Sequence, residues 1–302
     1  MKDMGKVMGA LYGVAIGDAL GAPITGKTAK DIREAHGTLR DMVAGKSRRT
    51  CAGMVTNVTH TTIDVAKSIL QNPSDPIPEM GRKLIDRYIK APATFDKQEK
   101  AALSHARRTK ASDLRGWHNA AQRAADGIDW EIVSSAALAR LIYPALIYDT
   151  QAAQRVAAAI GRMTNAHDHS ARAILTYTAA VSECINADKN AGPVIMREFV
   201  ERRMLRVRRT GPSDQAQPNG DVLSNAVCAM DAIRDTDNFE DAVIYAVNLG
   251  GDAATVGAIT GGLAGAIYGV EEIPRRWARM LPLGMFSELE RLAKKAYSAG
   301  RG

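Results

Sequence analysis

The sequence predicts an all-α protein. Alanine-rich stretches recur while aromatic residues make up only 5% of the chain, and alanine gives up no side-chain entropy in a helix. Apolar residues return at three- and four-residue intervals. Few segments alternate with period two between turn signals, so strands are not expected.

Taken in order, Met8 to Leu20 is apolar and rich in small residues. Beyond Thr59, the residues Ile63, Val65, Ala66, Ile69 and Leu70 give a helix with one buried face that ends before Asn72-Pro73. Ile77 to Lys90 sets Met80, Leu84, Ile85 and Tyr88 at helical spacing. Val133 to Tyr148, Gln151 to Met163, Ala171 to Ile185, Val194 to Val207, Asp221 to Ile233 and Phe239 to Asn248 read as helices in the same way. Loops fall at residues 72–76, 211–214 and 218–220, where Pro, Gly, Asn, Ser and Asp cluster. Ala253 to Val270 carries no charge and repeats glycine every fourth residue, at Gly257, Gly261, Gly265 and Gly269. It is short for a membrane span and diluted with Gly and Thr, so it reads as the buried central helix of a soluble bundle. No linker and no fixed-period repeat interrupts the pattern, and residues 1–302 are expected to form one domain.

The composition, 46% hydrophobic and 24% charged, is that of an ordinary globular chain. A net charge of +7 attracts anions without by itself establishing nucleic-acid binding. Basic clusters occur at Lys46-Ser47-Arg48-Arg49, at His105-Ala106-Arg107-Arg108, and from Arg202-Arg203 to Arg208-Arg209, where Arg202, Arg206 and Arg209 share a helical stripe. Aromatic residues are not interleaved and acids are mixed in, so a solvated face is the favoured reading over a nucleic-acid partner. Cys51, Cys184 and Cys228 are odd in number and lack metal-ligand spacing, which argues against a disulfide framework. The N-terminal segment MKDMGKVMGALYG has no apolar run of signal-peptide length. A cytoplasmic protein without membrane contact is expected.

Two Gly-Asp segments carry the chemistry. The first is Gly13-Val14-Ala15-Ile16-Gly17-Asp18-Ala19-Leu20-Gly21-Ala22-Pro23, and the second is Asn248-Leu249-Gly250-Gly251-Asp252-Ala253-Ala254-Thr255. Small residues let a ligand approach the backbone, and an adjacent carboxylate binds a cation or a hydroxyl. Each segment read alone is equally a turn followed by a helix cap. Gly250-Gly251 also offers backbone N–H groups to an anion such as a pyrophosphate.

Together these segments resemble the ADP-ribosylglycohydrolase family. The first is similar to its G-D-A-L-G-x-P-x-E opening and the second to its N-L-G-G-D-A-D-T signature. Gly53 to Leu70 is similar to the segment G-x-W-T-D-D-T followed by a helix ending E-S-L-L, in a register fixed by Gly53 and by Lys67-Ser68-Ile69-Leu70. Ala166-His167-Asp168-His169 resembles the family's T-H-x-H step, and Ala136 to Arg140 resembles its S-A-M-R step less closely. Order and spacing agree from about Met4 to Pro274. The resemblance implies a compact, single-domain, orthogonal helical bundle of the ADP-ribosylglycohydrolase type. It also implies a ligand carrying an ADP-ribosyl or related nucleotide-like group, two magnesium ions between the T-D-D and D-x-D-T segments, and His167 at a ligand contact.

At the positions of that resemblance the acids are largely replaced. The Glu of the opening motif is Thr25, the two Asp of T-D-D-T are Asn57 and Val58, and the second Asp of D-x-D-T is Ala254. Of five carboxylates only Asp252 remains, with Thr56 and Thr255 beside it. Magnesium prefers several hard oxygen ligands including carboxylates, so a cation held by Thr56, Asp252 and Thr255 would be weakly bound, and no cofactor is assigned. The expected catalytic pair is Asp252 and Asn57. Asp18, Thr56, His167, Gly250, Gly251 and Thr255 are the expected ligand contacts. His60 and Asp64, at i and i+4, offer a substitute acid–base pair, though a solvated His beside an ordinary helical Asp is the favoured alternative. Asp18 and Asp64 could instead occupy the vacated positions. Three functions follow: a divergent hydrolase with one metal or none, a binding module that has lost catalysis, and a nucleic-acid-linked protein.

Overall fold

A computed structural model describes residues 2–45, 51–126, 133–187, 193–194, 197–198, 202 and 216–300. At its centre α1 (Met4–Gly21) lies against α13 (Ala253–Tyr268). Asp3 starts α1 by accepting from the Lys6 N–H at 3.1 Å, which satisfies one of the donors left over at a helix start. Both helices are apolar almost all round, as helices enclosed on every side must be. α13 is thus the buried central helix that the charge-free run suggests. α1 is long and apolar enough to cross a membrane, but 83% of its apolar window is buried inside the protein.

Glycine sets the closeness of this pair. A Cβ on Gly13 would stand 1.9 Å from the Gly261 carbonyl oxygen, and one on Gly17 would stand 1.9 Å from that of Gly257. Gly9 meets Gly265 and Gly21 meets Ala253 in the same manner. One series rises while the other falls, so the helices run antiparallel and are in backbone contact over about three turns. This arrangement brings the end of α1 and the start of α13 to the same end of the bundle.

Around the pair pack α10 (Asp168–Asn186), α11 (Val222–Arg234), α12 (Phe239–Asn248) and α15 (Leu283–Ala299). Farther out lie α3 (Asn57–Gln71), α4 (Ile77–Lys90) and the hairpin of α5 (Lys97–Thr109) and α6 (Leu114–Asp126). The shorter α2 (Ala29–His36), α7 (Ala136–Ala139), α8 (Tyr143–Ile147) and α14 (Arg275–Ala278), with α9 (Thr150–Gly161), complete the described elements. Nearly all buried apolar side chains join one contiguous cluster, with Ala102, Ala121 and Ala124 as a small satellite. No sheet occurs among the described residues; two isolated bridges, Thr28 with Gly250 and Ser134 with Asp221, tie loops together.

The sequence reading differs in two respects, and part of it falls on residues that are not described. The single helix expected over Val133 to Tyr148 is broken into α7 and α8. Pro144, in the first turn of α8, has no N–H to continue a helix from α7. The helices α2, α5, α6 and α15 were not anticipated. The expected helix Val194 to Val207 and the loop at 211–214 lie outside the described residues except at 194, 197–198 and 202, and so do the basic cluster 46–49 and Arg203, Arg206, Arg208 and Arg209. All three cysteines are free thiols.

Because backbone atoms on the facing helix cannot give way as a side chain can, Gly13→Ala should destabilise the protein by at least about 3 kcal/mol. Gly284→Ala, where a Cβ meets open space, should be neutral or stabilising by about 0.5 kcal/mol. Urea unfolding of the two variants measures the contrast.

Candidate functional site

A cleft of about 1210 Å³ opens where the end of α1, the starts of α3, α5 and α13, and the loops before α7 and α11 meet. Its lining includes Thr25, Thr56, Asn57, Val58, Asp252, Ala254 and Thr255. The structure therefore brings together residues from three distant stretches that the motif spacing singles out.

The N-terminal wall is held by Asp18. Its carboxylate has no exposure, and Oδ2 accepts from the Thr56 N–H at 2.9 Å, the Thr59 N–H at 3.1 Å and the Thr59 hydroxyl at 2.6 Å. Asp18 is thus turned inward, where it anchors the start of α3; it is not among the residues lining the cleft. Burial pushes its carboxyl up to about 6, and the hydrogen bonds from Thr59 and Thr56 recover only part of that cost. Thr56 caps α3, its hydroxyl accepting from the Val58 N–H at 3.1 Å. Asn57 follows at the first helical position and faces the cleft.

The opposite wall is the turn Gly250-Gly251-Asp252. Both glycines have positive φ, 78° and 60°, and a Cβ on Gly251 would lie 1.8 Å from the Pro218 carbonyl oxygen. Backbone bonds strap this turn on two sides: Gly251 N–H to Lys27 O at 2.8 Å, Gly26 N–H to Gly251 O at 2.7 Å, and Asp252 N–H to Pro218 O. Gly251 lines the cleft, while Gly250 is engaged with residues 27–29 and does not. The Asp252 carboxylate accepts from Thr255 Oγ1 at 2.8 Å, Asn225 Nδ2 at 2.8 Å and Ser135 Oγ at 3.3 Å. Burial raises its pKa, and these donors oppose the rise. Thr25 Oγ1 accepts from the Ala254 N–H at 3.0 Å, so two of the positions that lack the expected carboxylates are bonded to each other. Among the described residues no group of three or more His, Cys, Asp or Glu side chains is placed to hold a metal ion.

Several cleft residues were not anticipated. Asp96 caps α5 by accepting from the Glu99 N–H at 2.8 Å, and it accepts from the Ser134 hydroxyl at 2.5 Å. The pattern Asp96-Lys97-Gln98-Glu99 is a helix-start signal that sequence reasoning could have used. Glu99 is ion-paired with Arg140, which also donates to Thr164, and both charged side chains are almost fully buried. Burial pushes the Glu99 carboxyl up to about 7 despite the guanidinium beside it. Asn225, fully buried, stands on the apolar face of α11, and such a polar residue in a buried stripe is itself a signal.

The remaining expected residues are placed otherwise. Asp64 is not paired with His60: its Oδ2 accepts from Arg87 at 2.6 and 2.7 Å. His60 lines the cleft, and burial, reinforced by the Arg87 charge, lowers its pKa and favours the neutral ring. His167 is half-buried and outside the cleft lining; its Nδ1 accepts from the His169 N–H at 3.1 Å and so caps α10.

Comparison with known proteins bears on this geometry. The ADP-ribosylglycohydrolase family model matches residues 2–302. An ADP-ribosyl-[dinitrogen reductase] glycohydrolase of Rhodospirillum rubrum is 28% identical, over 95% of this chain and 93% of that protein. An ADP-ribosylarginine hydrolase of Pseudomonas putida is 25% identical, over 97% of this chain and 78% of that protein. Among solved structures, an ADP-ribosylglycohydrolase-related protein complex superposes with a TM-score of 0.79 at 26% identity, covering 98% of each chain.

The raised pKa of Asp18 has a testable sign. Its folded-state value lies above the ordinary 3.8, so the folded protein holds a proton that the unfolded chain releases. The resulting stability is fully present below about pH 4 and is lost as pH rises through about 6, on the order of 2 kcal/mol. Asp18→Asn keeps an acceptor for the α3 donors and should flatten that part of the profile. Urea unfolding of both proteins from pH 4 to pH 7 measures the difference.

Proposed function

The chain belongs to the ADP-ribosylglycohydrolase family, and from that premise we propose that its cleft binds an ADP-ribosyl group without the two-magnesium centre. Family membership supports an ADP-ribosyl ligand and a glycosidic bond as the chemistry in play. The observation that carries the metal-free reading is the donor set of the cleft. The side chains of Val58 and Ala254 have no ligating atom, the Thr25 hydroxyl is bonded to backbone, and Asp252 already accepts from three neighbours. This set does not fit two hard divalent cations, each of which wants about six oxygen ligands.

In this reading the remaining polar atoms do the recognition. An ionised carboxylate has about four acceptor sites, so the three donors on Asp252 leave room for one ribose hydroxyl. The N–H groups of Gly250, Gly251 and Asp252, which the sequence offered to an anion, are instead bonded to the carbonyls of Val247, Lys27 and Pro218, so a diphosphate would draw its donors from elsewhere in the cleft. Asn57 sits on the facing wall and can hold either a hydroxyl or a water. If the glycosidic bond is cleaved, Asp252 is the proton carrier of the expected pair, because its carboxyl titrates above the usual carboxylate range and Asn57 does not titrate.

Calorimetric titration of ADP-ribose, with magnesium and then with chelator, tests the proposal. The expected result is one binding event whose Kd changes by less than about twofold between the two conditions. Binding that requires magnesium sinks it. Asp252→Asn separates the two roles. Turnover of an ADP-ribosylated arginine peptide that disappears while ADP-ribose affinity persists assigns the carboxylate to catalysis, and weakened affinity with no turnover in either protein assigns it to binding alone.

A further inference from the structure

The basic run from His105 to Arg108 falls on the α5–α6 hairpin, whose two helices are joined by the short turn 110–113. The facing sides of the pair bury Ala102, Leu103, Ala106, Trp117, Ala120, Ala121 and Ala124. The outer surface exposes Lys97, Arg107, Arg108, Lys110, Arg115 and Arg123. Among the described residues none of these six cations has a carboxylate partner, whereas the adjacent α4 matches Arg82 and Lys83 to Glu79 and Asp86 within its own turns. The acids of the hairpin are used elsewhere: Glu99 is buried against Arg140, and Asp113 accepts from the Gly116 N–H at 2.7 Å. Asp126 accepts from Gln122 at 3.4 Å.

The geometry gathers part of this charge across both helices. Arg108 Nη2 lies 2.7 Å from His105 Nδ1, and the His105 pKa is lowered by burial and then by Arg108 of its own helix and Arg123 of the next. Like charges held together repel, so such a surface is stabilised by a polyanion that neutralises it. At the other end Lys97 is both a hairpin cation and a residue of the cleft. Helix α5, of 13 residues, runs for about 20 Å, a length over which a duplex presents several phosphates.

The surface chemistry selects among polyanions. A protein partner would be expected to find an apolar anchor within the charge, but Leu114 is the one large hydrophobic side chain exposed on these two helices. A single strand would be expected to stack its bases on exposed aromatic rings, and the one aromatic residue of α5 and α6 other than His, Trp117, is buried. Phosphate contacts alone need neither.

We propose that the outer face of the α5–α6 hairpin docks the phosphate backbone of duplex nucleic acid, with the cleft mouth at its Lys97 end.

The test is fluorescence anisotropy of the full-length protein with a labelled duplex of about 20 base pairs across a series of salt concentrations. Arg108→Gln with Arg123→Gln removes two hairpin cations. Arg155→Gln with Arg172→Gln, two exposed cations on α9 and α10, makes the same charge change elsewhere. Thermal unfolding of both variants checks that they fold. The expected result is salt-dependent binding by the natural protein. The hairpin variant should lose about tenfold in affinity and about two units of log–log salt slope, with little change in the control. Equal losses in both variants would reduce the effect to net charge and overturn the proposal. So would undetectable duplex binding, or hairpin-dependent binding of polyglutamate in preference to the duplex.

Discussion

The structure depends on two helices touching through their backbones. Where Gly13 meets Gly261 and Gly17 meets Gly257, a single methyl group would overlap a carbonyl oxygen. Helix pairs separated by side chains lie 8–10 Å apart and tolerate small shifts in register; this pair has no such slack. Its antiparallel course determines that Asp18, three residues before the end of α1, and Asp252, at the start of α13, lie at one end of the bundle. The cleft is a consequence of that alignment, and the loops that finish it are strapped to it by backbone hydrogen bonds from Gly26 and Gly251.

The carboxylates that remain are mostly committed to structure. Asp18 spends one oxygen on three donors of α3, Asp64 is taken by Arg87, and Glu99 is locked to Arg140 in the interior. Each is expensive to bury and is retained through a specific partner set, since removing one partner would leave an uncompensated polar group. Asp252 differs in facing open cleft on one side while three neutral donors hold it on the other. The walls are therefore held by hydrogen bonds among these side chains and the neighbouring backbone.

Much of this was legible in the sequence. The small-residue runs and glycine spacing of Ala253 to Val270 foretold a buried helix, and the second Gly-Asp segment together with Gly53 to Leu70 pointed to residues that do converge, among them Thr56, Asn57, Gly251, Asp252 and Thr255. The hairpin of α5 and α6 escaped although its buried residues recur at helical spacing, Ala102, Leu103 and Ala106 on one helix and Trp117, Ala120, Ala121 and Ala124 on the other. The break between α7 and α8 escaped because the segment is buried on nearly all sides, Arg140 included, so no inner and outer face alternate to mark the turn. Asn225 and Ser135 contact Asp252 from elements more than 25 residues away, a relation that exists only after folding. The inward turn of Asp18 was hidden for a related reason: a Gly-Asp pair at a helix end has the same sequence whether its carboxylate faces a ligand or a neighbouring helix.

The glycine contact also bears on how the chain is made. Gly13 and Gly261 are 248 positions apart. At about 5–20 residues per second on the ribosome, α1 emerges some ten to fifty seconds before the helix that encloses it exists. Throughout that interval an apolar helix that ends up almost wholly buried has no mate, and a pairing so distant along the chain closes slowly once both partners are present. The feature that makes the finished core so closely packed thus leaves the nascent chain exposed during synthesis, with one apolar helix out well before its cover.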